Sequence, residues 1–319
     1  MKALFIVALI NVKLLGSFGR GLRLSDTHFL TNDPTVIHPL LSSNFERIAG
    51  LLETEAIRNA PGVIYSITEY NAATFKDEHA QRFVGQQLGF IQNFLITLWL
   101  VKDNAVNVEL GFLERPYQAA FVSSVSSNYR DTYFSDASGK FPMCEFTDVE
   151  LRVARDIFVK QFAKNVVELE QTGRTVPPDF DRVERVLYFS QRARASSDLG
   201  MKVATYVTCF ESLFCTESSE LAHKLAERLA FFCGDTPNSM FEIFKTAKTA
   251  YTIRSKTVHG DKLSARLAEQ ARPVSLECDG LLRKTLNKIL TTPGMHEQFV
   301  ASPEQLEDYL TRLVFGFGA

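Results

Sequence analysis

The chain has 319 residues, of which 45% are hydrophobic and 23% charged, and its formal net charge is −2. This composition is typical of a folded globular protein long enough for two domains, and it excludes long disordered tails. The near-neutral charge excludes a globally basic nucleic-acid binder, so that any contact with RNA must be local.

Two features of the chain bear on its cellular compartment. The five cysteines are widely spaced and form no CxxC pair, which excludes a zinc ribbon and predicts buried reduced thiols in a cytoplasmic protein. The apolar N-terminus resembles a signal peptide, but Asn11 and Lys13 interrupt it and no small-residue cleavage site follows cleanly. We predict a β-strand entering the core, with a signal peptide as the alternative. The apolar stretch Phe90–Val101 is too short to span a membrane and predicts a buried helix, so no membrane partner is expected.

Residues 1–145 predict an α+β domain of unknown role. Strands and helices are expected, in chain order, at Ala3–Leu15, Gly21–Thr31, Pro39–Ile57 (helix), Gly62–Tyr70, Glu78–Val101 (helix), Asn107–Leu110 and Ala119–Ser126. The segment Gly16–Gly21 lacks the Lys-Ser/Thr of a P-loop and favours a hairpin loop. No motif in this half names a ligand, and we interpret it as a possible sensor that restrains the second half, or else as the part that recognises RNA.

A bridging helix and linker are predicted at residues 146–176. The Thr147–Glu150 capping box starts this helix and Gly173 ends it. Two prolines, Pro177 and Pro178, then mark a boundary. A chain beginning near Thr175 is therefore expected to fold by itself.

Residues 177–319 predict an all-α bundle. Its helices are expected at Asp179–Ala195, Asp198–Cys215, Ser219–Cys233, Ser239–Val258, Ser275–Leu290 and Pro303–Leu313. Capping boxes at Ser239–Glu242 and Ser302–Gln305 mark two starts, and Gly234 and Gly260 occupy C-cap positions.

The fourth helix of this bundle ends with Tyr251-Thr-Ile-Arg-Ser-Lys-Thr-Val-His-Gly260, an R-x4-H motif at the end of a helix. Such a motif is weak alone, but it gains weight from this position and from the two preceding segments, Phe210–Phe214 and Ser218–Gly234. Together these segments resemble the Apea-like branch of the HEPN superfamily. The resemblance covers the C-terminal domain and does not extend into residues 1–145.

The resemblance implies a HEPN-type helical bundle that cleaves RNA without metal or other cofactor and leaves a 2′,3′-cyclic phosphate. Members of this kind are common among prokaryotic toxins and anti-phage defence effectors, including abortive infection systems. It also implies a homodimer formed through the C-terminal domain, with a composite cleft. An antitoxin or a separate effector is a further candidate partner.

Residue chemistry suggests the roles within the motif. Arg254 would bind the scissile phosphate through its forked donors, and His259 would act as general acid and base. Five residues of helix turn through about 500°, which leaves the two side chains about 140° apart. Gly260 is expected to redirect the chain just after His259, and even so two copies of the motif would converge more easily than one. Tyr251, Ser255 and Lys256 are supporting candidates.

Several observations favour other interpretations. Nuclease members of the superfamily usually carry Asn, Asp or His after the arginine, whereas Ser255 stands here. The alternative is therefore a non-catalytic module that serves as a dimerising, RNA-binding or partner-binding scaffold. Lys248, Lys262 and Arg192 are candidate RNA contacts, although interspersed acidic residues favour an ordinary solvated face.

Two further pairs of residues have simpler interpretations. Glu220 and His223 have the spacing of half a di-iron site, but no second copy of the motif exists, so no metal site is predicted. Glu211 and Arg228 are charged residues in apolar helices and predict a buried polar pair.

Overall fold

The computed structural model describes residues 1–19, 21–71, 77–116, 123–130, 132–162, 176, 179–217 and 220–317. The chain divides into two compact units. The first unit comprises Met1–Tyr133 and Phe141–Glu170, and the second comprises Phe134–Lys140 and Gln171–Ala319. The first unit contains both strands and helices, and the described elements of the second are all helices. The predicted order, an α+β domain followed by an all-α domain, is confirmed at this level.

The described strands all lie in the first unit: β1 (Lys2–Ile10), β2 (Val12–Leu14), β3 (Leu22–Arg23), β4 (His28–Thr31), β5 (Val63–Glu69), β6 (Asn107–Pro116), β7 (Ser123–Asn128) and β8 (Cys144–Phe146). Six of them form one antiparallel sheet in the order β3-β4-β5-β1-β6-β7. The other two, β2 and β8, form a separate parallel pair. The apolar N-terminus is thus the central strand β1, whose continuous apolar run suits a strand covered on both faces.

Helices cover both faces of the large sheet. Those of the first unit are α1 (Pro34–Leu40), α2 (Ser43–Ala49), α3 (Leu51–Arg58), α4 (Asp77–Val101) and α5 (Asp148–Gln161). On one face, Ile6 packs in a cluster with Ile37 and Phe45 of the short helices. On the other face, Leu88 of α4 meets Phe5 above Gly111, where a Cβ would lie 3.0 Å from Leu88 and 3.1 Å from Phe5. Glycine therefore permits the close approach of helix and sheet.

Helix α4 of the first unit is long and apolar, and it contains the stretch Phe90–Val101. Among the described residues, its segment Glu78–Val101 is long and apolar enough to cross a membrane by length and composition, but 67% of its most apolar stretch is buried inside the protein. The prediction of a buried helix at Phe90–Val101 is confirmed.

The structure corrects three expectations for the first unit. The helix expected at Pro39–Ile57 is three helices, because Ser42 caps a new start and Gly50, at φ 106°, breaks the run. The Gly16–Gly21 segment is not a hairpin loop, since it joins β2 and β3, which belong to different sheets. The strand expected to end at Leu110 continues to Pro116. Residues 119–122 of the expected strand Ala119–Ser126 lie outside the described residues.

Helix α5 starts at the predicted capping box, with the Thr147 side chain accepting from the Glu150 N–H. Its buried side packs on α4 of the first unit, where the Phe158 ring meets Phe90 and Phe94 edge-on at 4.9 and 5.7 Å. The helix expected to bridge the domains is therefore part of the first unit. Gly173 and the two prolines expected to mark the boundary lie outside the described residues.

The second unit contains α6 (Arg182–Ala195), α7 (Leu199–Phe214), α8 (Leu221–Cys233), α9 (Pro237–His259), α10 (Ala265–Thr291), α11 (Met295–Val300) and α12 (Pro303–Val314). Three phenylalanines from α7, α8 and α11 meet edge-on in its core: Phe214, Phe232 and Phe299. The Ser302–Gln305 capping box is confirmed.

Several helix ends in this unit differ from the sequence expectation. Thr236, not Ser239, caps α9, and its partner in the box is Ser239 itself, so the expected Ser239–Glu242 box is wrong. Helix α10 begins ten residues before Ser275, at Ala265, and includes Pro273. The short helix α11 is missing from the sequence expectation. It has six residues and follows Gly294, which provides no side-chain cap that the sequence would reveal.

Residues Phe134–Lys140, the docked segment, precede α5 in the chain but pack into the helical unit. The Ser135 N–H donates to Arg194 O at 2.8 Å, and its hydroxyl donates to Ser196 O at 2.9 Å. The Ser275 hydroxyl of α10 donates to Ala137 O at 2.6 Å. The guanidinium of Arg194, a residue only 1% exposed, stacks over the Phe134 ring at 4.4 Å. This segment is therefore part of the helical core.

Candidate functional site

Helix α9 carries the R-x4-H motif in its last two turns. Ala247, Ala250 and Ile253 form its buried side. Gly260 ends the helix at φ 77°, and the next residue returns an N–H to Lys256 O at 2.8 Å. A left-handed C-cap of this kind strongly favours glycine. The predicted helix end directly after the motif is confirmed.

Arg254 is held by two neighbours inside the second unit. Its Nη2 lies 3.4 Å from Oε2 of Glu211 on α7, and its guanidinium carbon lies 5.6 Å from the centre of the Tyr251 ring, one turn earlier on α9. The side chain keeps 27% of its surface exposed, against 17% for Glu211. The guanidinium is thus oriented but still accessible, and part of it faces a carboxylate.

Glu211 is the residue of this cluster that the sequence analysis noted as a buried charge but did not place in the site. Its second oxygen, Oε1, is buried and has no hydrogen-bond partner among the described residues. The sequence signal was a lone carboxylate in a strongly apolar helix, which requires a partner. The expected partner Arg228 is wrong: its Nη1 donates to Phe214 O at 2.8 Å and its Nη2 pairs with Glu307 of α12. The packing of α7 against α9 places Arg254, and not Arg228, beside Glu211.

Tyr251 supports the pair with a neutral hydroxyl. Burial raises the pKa of Tyr251, and the negative charge of Glu211 raises it further. The phenol therefore stays protonated at neutral pH and can donate a hydrogen bond.

His259 lies apart from this cluster. It is the last helical residue, its side chain is exposed, and it forms no hydrogen bond or ion pair within the described part of the chain. The helix stays regular between the two motif residues, so they point about 140° apart and are offset by about 7.5 Å along the axis. A single chain therefore groups Arg254 with Tyr251 and Glu211, and it does not bring His259 to them.

The remaining candidates lie at different depths. Ser255 and Lys256 are half-buried, whereas Lys248 and Lys262 are exposed. Arg192 is also exposed and lies over Tyr188, whose hydroxyl oxygen accepts its Nη2 at 2.9 Å. These side chains remain accessible to an anion.

Two other arginines of the first bundle helix are committed to the protein itself. Arg194 is buried over Phe134, and Arg182 donates to Ser212 O at 2.6 Å. The basic character that the sequence suggests for α6 is therefore only partly a surface property.

The described residues do not suggest a metal centre or a reactive thiol. No group of three His, Cys, Asp or Glu side chains within them is placed to hold a metal ion. Among the described contacts, the ring of His223 packs edge-on against Phe244 at 5.5 Å. Burial raises the pKa of the Cys209 and Cys278 thiols far above the ordinary value. Burial also raises the pKa of Cys215, to about 11. All three thiols therefore stay protonated and inert at neutral pH.

Comparison with known proteins adds no family assignment. No protein-family model, no curated protein and no solved structure matches the chain. The resemblance to the HEPN superfamily rests on the R-x4-H motif and its helical setting.

Proposed function

We propose that the second unit is a metal-independent endoribonuclease of the HEPN type, acting as a prokaryotic toxin or anti-phage defence effector. The observation that carries this proposal is the end of α9, which presents an oriented, partly exposed Arg254 and an exposed His259 just before the Gly260 C-cap. An imidazole can transfer the protons, and a fixed guanidinium can stabilise the phosphate charge, in cleavage by the ribose 2′-hydroxyl.

The chemistry assigns one step to each group. An imidazole accepts the proton of the 2′-hydroxyl while the 2′-oxygen attacks phosphorus, and the bond from phosphorus to the 5′-oxygen breaks. The imidazolium formed in this way gives its proton to the leaving 5′-oxygen, and the product ends are a 2′,3′-cyclic phosphate and a 5′-hydroxyl. Arg254 binds the phosphate oxygens and offsets the charge that builds on them.

The divergence of Arg254 and His259 requires a second copy of α9. In a two-fold dimer each chain contributes the same patch, so His259 of one protomer can face Arg254 of the other. The proposed active form is therefore a homodimer through the helical unit, with RNA bound where the two α9 ends meet.

The test is cleavage of single-stranded and transfer RNA in EDTA by the wild type and by His259→Ala. Loss of cleavage in this variant, with retention in the control His296→Ala, supports the proposal; His296 is a half-exposed histidine of the same unit. Arg254→Lys keeps the positive charge beside Glu211 and should lose most activity, because lysine lacks the forked donors. Equal cleavage by wild type and His259→Ala would contradict the assignment.

One observation favours a second candidate, a non-catalytic scaffold that binds RNA or a protein partner such as an antitoxin or separate effector. Arg254 already faces the Glu211 carboxylate, and Ser255 after it is not a second titrating group near neutral pH. On this alternative the pair is structural. RNA binding without cleavage by any form of the protein would favour it.

A further inference from the structure

One continuous exposed stripe runs along α9 on the side away from Arg254. Phe241 and His259 are 18 residues apart, which is five helical turns and about 27 Å, so they lie on one line along the helix. The side chains between them within about 60° of that line include Lys245, Lys248, Thr252 and Lys256. We name these six residues the α9 stripe. All are exposed except Lys256, which is half-buried.

The stripe combines free positive charge with one exposed aromatic ring. Lys248 and Lys256 form no ion pair with any described residue, whereas Lys245 pairs with Glu242 at 2.7 Å. Phe241 is 61% exposed, and the Lys245 ammonium lies 5.0 Å from the centre of its ring. An exposed ring beside lysines offers a face on which a nucleic-acid base can stack while the ammonium groups contact phosphates.

We propose that the α9 stripe binds single-stranded RNA, with the lysines on successive phosphates, Phe241 stacked on a base and His259 at the end of the bound segment. This inference rests on the proposed function, since it names the substrate form and its path to His259. Cations interleaved with an aromatic ring are the usual means of holding unpaired strands. Duplex RNA keeps its bases stacked inside the helix and offers Phe241 no base face.

The experiment measures the anisotropy of a labelled 2′-O-methyl RNA oligonucleotide, which cannot be cleaved through its 2′-oxygen, on the full-length protein in EDTA. We compare the wild type with Lys248→Glu/Lys256→Glu and with Phe241→Ser. The control is Lys160→Glu, an exposed lysine of the first unit without an ion pair among the described residues. The substituted side chains are not part of the buried core, so unchanged melting temperatures are expected for all variants and are checked by circular dichroism.

The expected result is at least tenfold weaker binding by the lysine variant, with its log–log salt slope reduced by about 1.4, since each single-strand phosphate contact contributes about 0.7. Phe241→Ser should bind about tenfold more weakly, as expected for one lost stacking contact, and Lys160→Glu should bind as the wild type does.

Wild-type affinity in the stripe variants, no binding by the wild type, or equal affinity for a duplex would each overturn the inference. Its failure is distinguishable from failure of the proposed function. Cleavage of natural RNA with unimpaired binding by the stripe variants refutes only the stripe. Stripe-dependent binding by a protein that never cleaves refutes only the nuclease.

Discussion

The docked segment Phe134–Lys140 makes a prediction about what holds the helical unit together. Gly139 has φ +76°, and a Cβ there would lie 2.4 Å from the backbone oxygen of Ser197. Gly294 has nearly the same φ, +78°, but a Cβ there would meet nothing within 4 Å. The two glycines therefore form a matched pair: alanine at either position is strained by its left-handed backbone, but only Gly139→Ala also forces the docked segment away from Ser197, which lies between α6 and α7.

The magnitudes separate the two variants. A left-handed alanine costs about 1 kcal/mol, and this is the whole expected effect of Gly294→Ala. Displacing the docked segment also weakens about three hydrogen bonds, each contributing about 1 kcal/mol. It exposes the Phe134 ring as well, whose burial contributes about 2 kcal/mol. We expect Gly139→Ala to lose at least about 3 kcal/mol, a large part of the stability of a typical domain.

The assay is chemical denaturation followed by two signals. The single tryptophan, Trp99, is buried in α4, so that its fluorescence reports the first unit. Helical circular dichroism reports chiefly the second unit, which holds most of the described helix. Gly139→Ala should shift the dichroism transition much further than Gly294→Ala does. Equal shifts for the two variants would refute the idea that the docked segment is part of the helical core.

A fragment starting near Thr175 is expected to fold on the sequence alone, but the docked segment predicts a different outcome. Such a fragment lacks Phe134–Lys140 and leaves the partners Arg194 and Ser275 without it. Without these contacts the fragment should be unstable. Residues 132–142 joined by a long Gly-Ser linker to residues 179–319 should restore a cooperative transition.

Three further predictions address the site and the first unit. Glu211→Gln should strengthen binding of uncleavable RNA by about threefold, measured by anisotropy, because a partly exposed ion pair contributes less than about 1 kcal/mol and its carboxylate competes with phosphate for Arg254. Burial lowers the pKa of His28 below its ordinary value, so the unfolded chain binds the proton more readily than the folded chain does. The free energy of unfolding therefore falls as the pH drops below about 6.5. The denaturant midpoint followed by Trp99 fluorescence should decrease between about pH 7.5 and 5.5, and it should decrease less in His28→Gln. Sedimentation at tens of micromolar should show a dimer, and a clean monomer would count against a composite active site.

The sequence predicted what local chemistry controls. The Thr147 and Ser302 capping boxes and the Gly260 C-cap were found from residue type and spacing, because the groups that satisfy a helix end lie within a few residues of it. The partner of Glu211 and the docking of Phe134–Lys140 were not found. They depend on contacts 43 and more residues apart in the chain, as between Glu211 and Arg254, and no local pattern encodes which of several arginines or helices will meet.

The geometry of α9 also makes the two proposals depend on each other in a specific way. The stripe ends at His259, whereas Arg254 points to the opposite side beside Glu211. An RNA segment on the stripe of one protomer can therefore reach the imidazole of that protomer but not its guanidinium. A strand cleaved by this protein must pass from the stripe of one chain towards Arg254 of a second. Mixing Arg254→Lys with His259→Ala protein should then restore part of the activity that each lacks alone, because one of the two composite sites in a mixed dimer keeps both wild-type groups. No recovery in mixtures shown to exchange subunits would contradict this path for the RNA.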